Sequence, residues 1–306
     1  MLKRRGELVM DRNSFLYKVR RKMQTIAFSI LPHDTLSKFY YRIYLHEGLN
    51  IDNPQTLNEK LQWYKLNYCP NNSLVVQCSD KYQVRSYIEE KGYGSYLVGL
   101  IGVWEDAKDI DWDKLPQKFV LKCSHGCAYN ILCKDKSTFD KNAAVKQLNV
   151  WLREDFSKFN VELHYGKIKP RRVICEEYLG DVMIDYKFFC FSGEPQFFYV
   201  SSDLVHDRQA EMGFFNMDGS KIPLIRDDYK DIGNLAMPAC LPDLVEAAKA
   251  LSEHFPFARI DFFQMGDSFK FAEITFTPAA AMMPINPKEY DVEWGNLLEL
   301  PVMVEK

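Results

Sequence analysis

Two acids near the end of the chain give the sharpest chemical signal. Asp261 sits inside the apolar run ARIDFFQ and Glu273 inside SFKFAEITF, with Gly266-Asp267 between them as a turn. A charge flanked by Ile260, Phe262 and Phe263 needs a partner. Folding the two runs into a hairpin brings both carboxylates to one end of adjacent strands, with Thr275 two residues on and facing the same side. Such oxygens suit Mg²⁺, commonly held by one or two carboxylates and completed by phosphate oxygens. The plainer alternative is that each acid is a solvated strand residue.

A second cluster supplies the opposite charge. The run KFVLKCS, the polar tip HGCAYN and the return ILCKD predict a hairpin. Lys122 ends its first strand, the tip Ser124-His125-Gly126 offers donors to an anion, and Lys134 follows on the return. An ordinary turn is the plainer alternative, and a metal site from Cys123, His125, Cys127 and Cys133 fits no structural zinc spacing. Glu176, Glu177 and Leu179, in EEYL after the strand RVIC, stand where backbone groups could read an adenine edge and a carboxylate the ribose; solvated acids at a strand end are the alternative. Asp185 and Lys187, two apart on a strand, share a face, as an ion pair or with the lysine on a phosphate.

The elements that must position these groups follow from periodicity. Residues 14–47 mix basic and apolar residues at helical spacing, interrupted by Pro32, which predicts two short helices. Lys18, Arg20, Arg21 and Lys22 beside that apolar stripe suit an anionic membrane surface, although most such stripes pack on the rest of their protein. Helices are predicted from Thr56 to Lys65, with Thr56 as cap, from Ser79 to Glu90, across 138–158 and from Leu241 to His254. DYKFFCF and EPQFFYV form a further hairpin about Ser192-Gly193. Hairpins separated by helices argue for an α+β fold and against a doubly wound sheet.

A net charge of −3 leaves no global basic field for nucleic acid. Eight cysteines without a CxxC pair fit a reducing cytoplasm. No apolar run reaches the ~18 residues of a membrane span, and MLKRRGELVMDRN breaks into charge before any signal-like apolar region.

Taken in order, LNEKLQWYKL, SDKYQVRSYI, FVLKCSHG with Asn130 beyond it, EEYL, DYKFFCFSGEP, HFPFARIDFF, and FAEITFTP followed by EYD, WG and LP resemble the ATP-grasp superfamily. Within it they are most similar to the TupA-like branch, named for teichuronopeptide biosynthesis. The resemblance runs from about Thr56 to Pro301 and implies two small α+β subdomains clasping ATP. It divides the chain into a helical region 1–55, a pre-ATP-grasp region 56–116, a lid subdomain 117–175 and a metal-binding subdomain 176–306. It puts Lys122, with Lys134, on the nucleotide phosphates, beside the loop Ser124-His125-Gly126. Glu176, Glu177 and Leu179 come around adenine and ribose, Lys187 near the transferred phosphate, and Asp261 and Glu273 on Mg²⁺. Thr275 stands where many relatives carry Asn, and Cys127-Ala128 and Ala279-Ala280-Ala281 stand where relatives are glycine-rich. Alanine lacks glycine's freedom at positive φ.

The activity so implied is ATP-dependent carboxylate–amine ligation through an acyl phosphate, with a uronic acid of a surface polysaccharide as acceptor and an amino acid as amine. Arg208 is the candidate to grip the acceptor carboxylate, its alternative being a loop arginine paired with Asp207 or Asp203. Two rivals remain at this stage. A glycosyltransferase lacks its DxD-type pair here, and a non-catalytic ATP-grasp-like binding protein is favoured by the alanine loops but opposed by Lys122, Asp261 and Glu273.

Overall fold

The computed structural model describes residues 15–181, 184–202, 211–224, 226 and 229–302. Helices α1 (Phe15–Ile30) and α2 (His33–Leu45) form on either side of Pro32, as the periodicity predicts. Helix α3 (Leu57–Trp63) opens on a reciprocal cap: the Thr56 side chain accepts the Glu59 N–H while the Glu59 carboxylate accepts that of Thr56. The single helix expected from Ser79 to Glu90 does not form. Ser79 instead closes α4 (Ser73–Ser79), and α5 (Val84–Glu90) begins later. Between them the buried Asp80 carboxylate accepts the N–H groups of Tyr82 and Gln83, a local bond that competes with the helical ladder.

The first sheet has four antiparallel strands, β1 (Leu100–Trp104), β2 (Phe119–Cys123), β3 (Asn130–Cys133) and β4 (Val173–Glu177), in the order β1-β4-β2-β3. It draws in β1 from before residue 117 and the end of β4 from beyond residue 175. β2 and β3 are the expected hairpin, whereas β1, an edge strand containing Gly102, has no clean alternation to announce it. Between β3 and β4 come α6 (Lys141–Arg153), α7 (Ser157–Asn160) and α8 (Leu163–Gly166). Leu148 of α6 shares a core with Phe119 and Leu121 of β2.

The second sheet is larger. β5 (Ile184–Phe191) and β6 (Glu194–Ser202) turn at Ser192 and Gly193, both at positive φ, as such a tight turn requires. β7 (Glu211–Asn216), β8 (Lys221–Ile222) and β9 (Lys230–Asp231) extend it. After α9 (Leu241–Ser252), β10 (Phe257–Met265) and β11 (Ser268–Thr275) make the last hairpin, and α10 (Glu289–Leu297) follows. The order is β11-β10-β5-β6-β7-β8, so the two predicted hairpins join through β5 and β10, with β9 parallel to β7. α9 packs on one face, where the Cys190 thiol reaches the Ala248 carbonyl. On the other, Phe197 stacks at 4.6 Å on Phe189 and at 3.8 Å on Trp294 of α10. Two sheets, antiparallel except for the β7–β9 pair, with flanking helices are the α+β class expected. No helix among the described residues is long and apolar enough to cross a membrane, and the eight cysteines, all among the described residues, form no disulfide.

Candidate nucleotide and metal site

Asp261 on β10 is directly opposite Lys187 on β5 and Glu273 on β11. One rung across three strands therefore carries an ammonium and two carboxylates. The match with Glu273 depends on a bulge: Phe262 pairs with Phe271 but Asp261 with Glu273, leaving Ala272 as the extra residue. Arg259, two residues before Asp261, points to the same face.

The side chains of this rung form one network. The fully buried Asp261 carboxylate accepts Lys187 Nζ at 2.9 Å, Arg259 Nε at 2.7 Å and Arg259 Nη2 at 2.6 Å. The same Nη2 lies 3.0 Å from Thr275 Oγ1 and 3.4 Å from Glu273 Oε1, and the threonine hydroxyl donates to Glu273 at 3.1 Å. Asp185 stands 3.6 Å from Lys187, and its other oxygen is buried with no hydrogen-bond partner. Burial alone would lower the Lys187 pKa, but the Asp261 and Asp185 carboxylates outweigh it and hold the group above its usual range. Burial opposes ionisation of Glu273 in the same way, yet Lys81, Arg259 and Lys187 pull its pKa down. Both groups are charged at neutral pH.

The first sheet presents the complementary cluster. Lys122 Nζ lies 2.6 Å from the buried Glu176 carboxylate, which also meets Arg85 of α5 at 3.4 Å. Lys81 donates to the Gly126 carbonyl at 2.8 Å and its backbone N–H to Ser124 O, tying the hairpin tip down. Lys81, Arg85, Lys122 and Glu176 line a cleft whose opposite wall includes Phe271 and Glu273 of β11. An acid of the second sheet thus faces one cavity with Lys122 and Glu176 of the first.

The family model described as TupA-like ATPgrasp matches residues 59–299. The chain belongs to the TupA-like ATP-grasp family. No curated protein matches it. Among solved structures it is similar to D-alanine–D-alanine ligase from Bacillus anthracis, with TM-score 0.39 and 15% identity over 65% of this chain and 57% of that one. The Helicobacter pylori D-alanine–D-alanine ligase gives TM-score 0.40 and 14% identity over 80% and 69%. L-amino acid ligase from Bacillus licheniformis gives 0.39 and 14% over 68% and 44%. The chain spans less than three fifths of the length of the first of these ligases.

Of the residues singled out from sequence, this ATP-grasp chain brings Lys187, Asp261, Glu273 and Thr275 together on one sheet and Lys122 with Glu176 on the other. Three oxygens, from Asp261, Thr275 and Glu273, converge on one guanidinium nitrogen. An all-oxygen set gathered around a cation fits Mg²⁺. The Cys123, His125, Cys127 and Cys133 alternative does not form: no cluster of three or more His, Cys, Asp or Glu suited to a metal exists among the described residues.

The hairpin tip corrects part of the expectation. The Ser124 hydroxyl is buried and accepts the Arg172 N–H. The His125 ring is equally buried, its Nε2 meeting the Trp151 and Glu154 carbonyls at the end of α6 at 3.1 and 3.2 Å. Neither side chain is placed to offer a donor to an anion in the cleft. Burial, with Arg171 adding to it, holds the His125 pKa down to about 4, so the ring is neutral at pH 7. Gly126 has φ +80, and a Cβ there would fall 2.6 Å from the Phe156 ring. Lys134 pairs with Asp181 outside the cleft lining. Glu177, next to Glu176 on the strand, is exposed on the opposite face and lies against Gly99; Leu179, beyond the strand, is half-buried. Arg208, with Asp207 and Asp203, lies outside the described residues.

Sequence reading missed Arg259, Lys81 and Arg85. The signal for Arg259 was present: a second charge two residues before Asp261 on an apolar strand must share its face. Lys81 and Arg85 carry no comparable signal, because a turn rather than a helix separates them.

Proposed function

We propose that this chain is an ADP-forming carboxylate–amine ligase that binds Mg-ATP in the cleft between its two sheets. The observation carrying this reading is the rung Lys187–Asp261–Glu273 with Arg259 gathered onto it, whose Glu273 lines a cleft shared with Lys122 and Glu176. Asp261, Glu273 and Thr275 would hold magnesium, which when bound neutralises phosphate charge. Lys122 and Lys187 carry ammonium groups for the phosphates. The backbone around Gly126 offers donors, and Glu176, with the chain through Glu177 to Leu179, accommodates adenine and ribose.

In this reading an acceptor carboxylate oxygen bonds to the γ-phosphorus as ADP leaves. The amine nitrogen then bonds to the acyl carbon, the carbon–oxygen bond to phosphate breaks, and a proton passes to solvent. Phosphoryl transfer needs alignment and charge neutralisation more than a protein nucleophile, in keeping with a site of cations and acids. Family membership favours a uronic acid of a surface polysaccharide as acceptor and an amino acid as amine; the latter accords with neighbours titled D-alanine–D-alanine and L-amino acid ligases. Arg208 is assigned to the acceptor carboxylate on chemistry alone, since a planar guanidinium grips it at two points.

The test is incubation with Mg-ATP, a pool of uronic acids and a pool of amino acids, following ADP, AMP and phosphate. ADP release that requires an acid and yields an amide supports the reading. AMP release, transfer from a nucleotide sugar, or ATP binding without turnover would overturn it.

A further inference from the structure

Helix α1 is turned inside out with respect to an ordinary surface helix. Its polar groups face the protein: Gln24 is buried and donates to the Phe159 carbonyl, Arg21 lies 3.5 Å over the Phe159 ring, and Arg20 bonds the Tyr44 hydroxyl. Apart from Ala27 and Phe28, which pack on a small core with α2, its aliphatic and phenylalanine side chains face outward. Phe15, Leu16, Met23 and Ile30 are 78%, 64%, 64% and 73% exposed, and Val19 and Ile26 complete the set. At about 100° per residue these six side chains fall on one arc about 100° wide. They form a continuous ridge that packing among the described residues does not use, because the inner face already anchors the helix.

The charges beside the ridge identify its partner. Exposed Lys18 and Lys22 border it on one side. Across the first thirty residues eight Lys and Arg stand against two acidic residues, in a chain whose net charge is −3. α2 adds the exposed pair Phe39 and Ile43 beside exposed Lys38 and Arg42. A second copy docking through the same face would bring like charges together, whereas an anionic lipid headgroup complements them. With 16 residues and four cations, α1 is too short and too charged to span a bilayer; its form suits lying in the interface.

We propose that the α1 ridge is a docking surface for an anionic lipid bilayer, holding the catalytic domain at a membrane surface. This is independent of the chemistry in the cleft. Sedimentation of the full chain with vesicles of phosphatidylcholine alone, and with phosphatidylglycerol added to about a third, tests it. Binding to the anionic vesicles alone, weakened by salt, is expected. Met23→Glu and Ile26→Glu, at exposed positions that leave the inner contacts intact, should each reduce binding at least tenfold with an unchanged melting curve. Lys18→Glu with Lys22→Glu should lower anionic-vesicle binding by about fivefold per removed cation. Equal affinity for neutral vesicles, no vesicle binding, or concentration-dependent self-association abolished by Ile26→Glu would each overturn the proposal.

Discussion

Ala279, Ala280 and Ala281 occupy the left-handed region with φ of 51, 56 and 61. Their shape is clamped from outside: Gln62 donates to the Ala280 and Ala281 carbonyls, and the buried Lys65 ammonium to Ala280. Left-handed backbone costs an alanine about 1–2 kcal/mol relative to the right-handed form. Glycine escapes that penalty but loses about 0.5–1 kcal/mol more backbone entropy on folding. At Ala279, whose methyl is exposed, Ala→Gly should therefore stabilise by about 0.5–1 kcal/mol. Ala281 is fully buried, so the same change forfeits about 0.8 kcal/mol of methyl burial and should be near neutral. Ala279→Val should go the other way, since a branched side chain tolerates this region worst. Urea midpoints at unchanged slope would measure all three. If Ala279→Gly destabilised by about 1 kcal/mol, as in an unstrained helix, or matched Ala281→Gly, the strain argument would fail.

Glu273→Gln should abolish ADP formation with little loss of stability, its side chain being 36% exposed. Asp261→Asn should also be inactive, but less stable by about 3 kcal/mol, because it strands two buried cations; wild-type turnover in either variant would refute the metal assignment. The His125 pKa of about 4 lies below the ~6.5 of the unfolded chain. Its contribution is therefore present above pH ~6.5 and lost towards pH 4. Stability should fall by about 2 kcal/mol between pH 6.5 and 5, and His125→Asn should flatten that slope in urea titrations. Lys122→Met should raise the ATP KM and lower kcat, whereas His125→Ala should act mainly on the melting temperature; the reverse pattern would give the imidazole a direct role. Arg208→Lys should raise the KM for the acceptor acid more than that for ATP, and equal effects would count against a carboxylate clamp.

The parts of the site legible in the sequence are those governed by strand alternation. Lys187, Asp261 and Lys122 each interrupt apolar strands, where a charge has few places to go. The loop side chains were not legible in that way. Ser124 and His125 look like anion donors beside Gly126, yet the tip folds under α6 and spends both on backbone groups. That outcome is set by contacts 26 or more residues away in sequence, which no local pattern encodes. The break at Asp80 was local but ambiguous, since an aspartate near a helix start serves equally as a cap or as an interruption. β1 escaped notice because a half-exposed edge strand with glycine does not alternate.

The bulge at Ala272 makes this centre depend on the parity of the chain. Counting back from the turn pair Met265–Ser268, an unbroken ladder would set Asp261 against Ala272, and Glu273 against the buried Ile260 on the opposite face. Only the one extra residue turns Glu273 towards Asp261. Loss of a single codon between 262 and 272 would remove no acid, and an unbroken ladder would then set Glu273 opposite Asp261; only with the bulge kept would the carboxylates fall on opposite sides of the sheet. The hairpin's length and its bulge are therefore matched: eleven residues between the two acids require the bulge, and one fewer would require its loss.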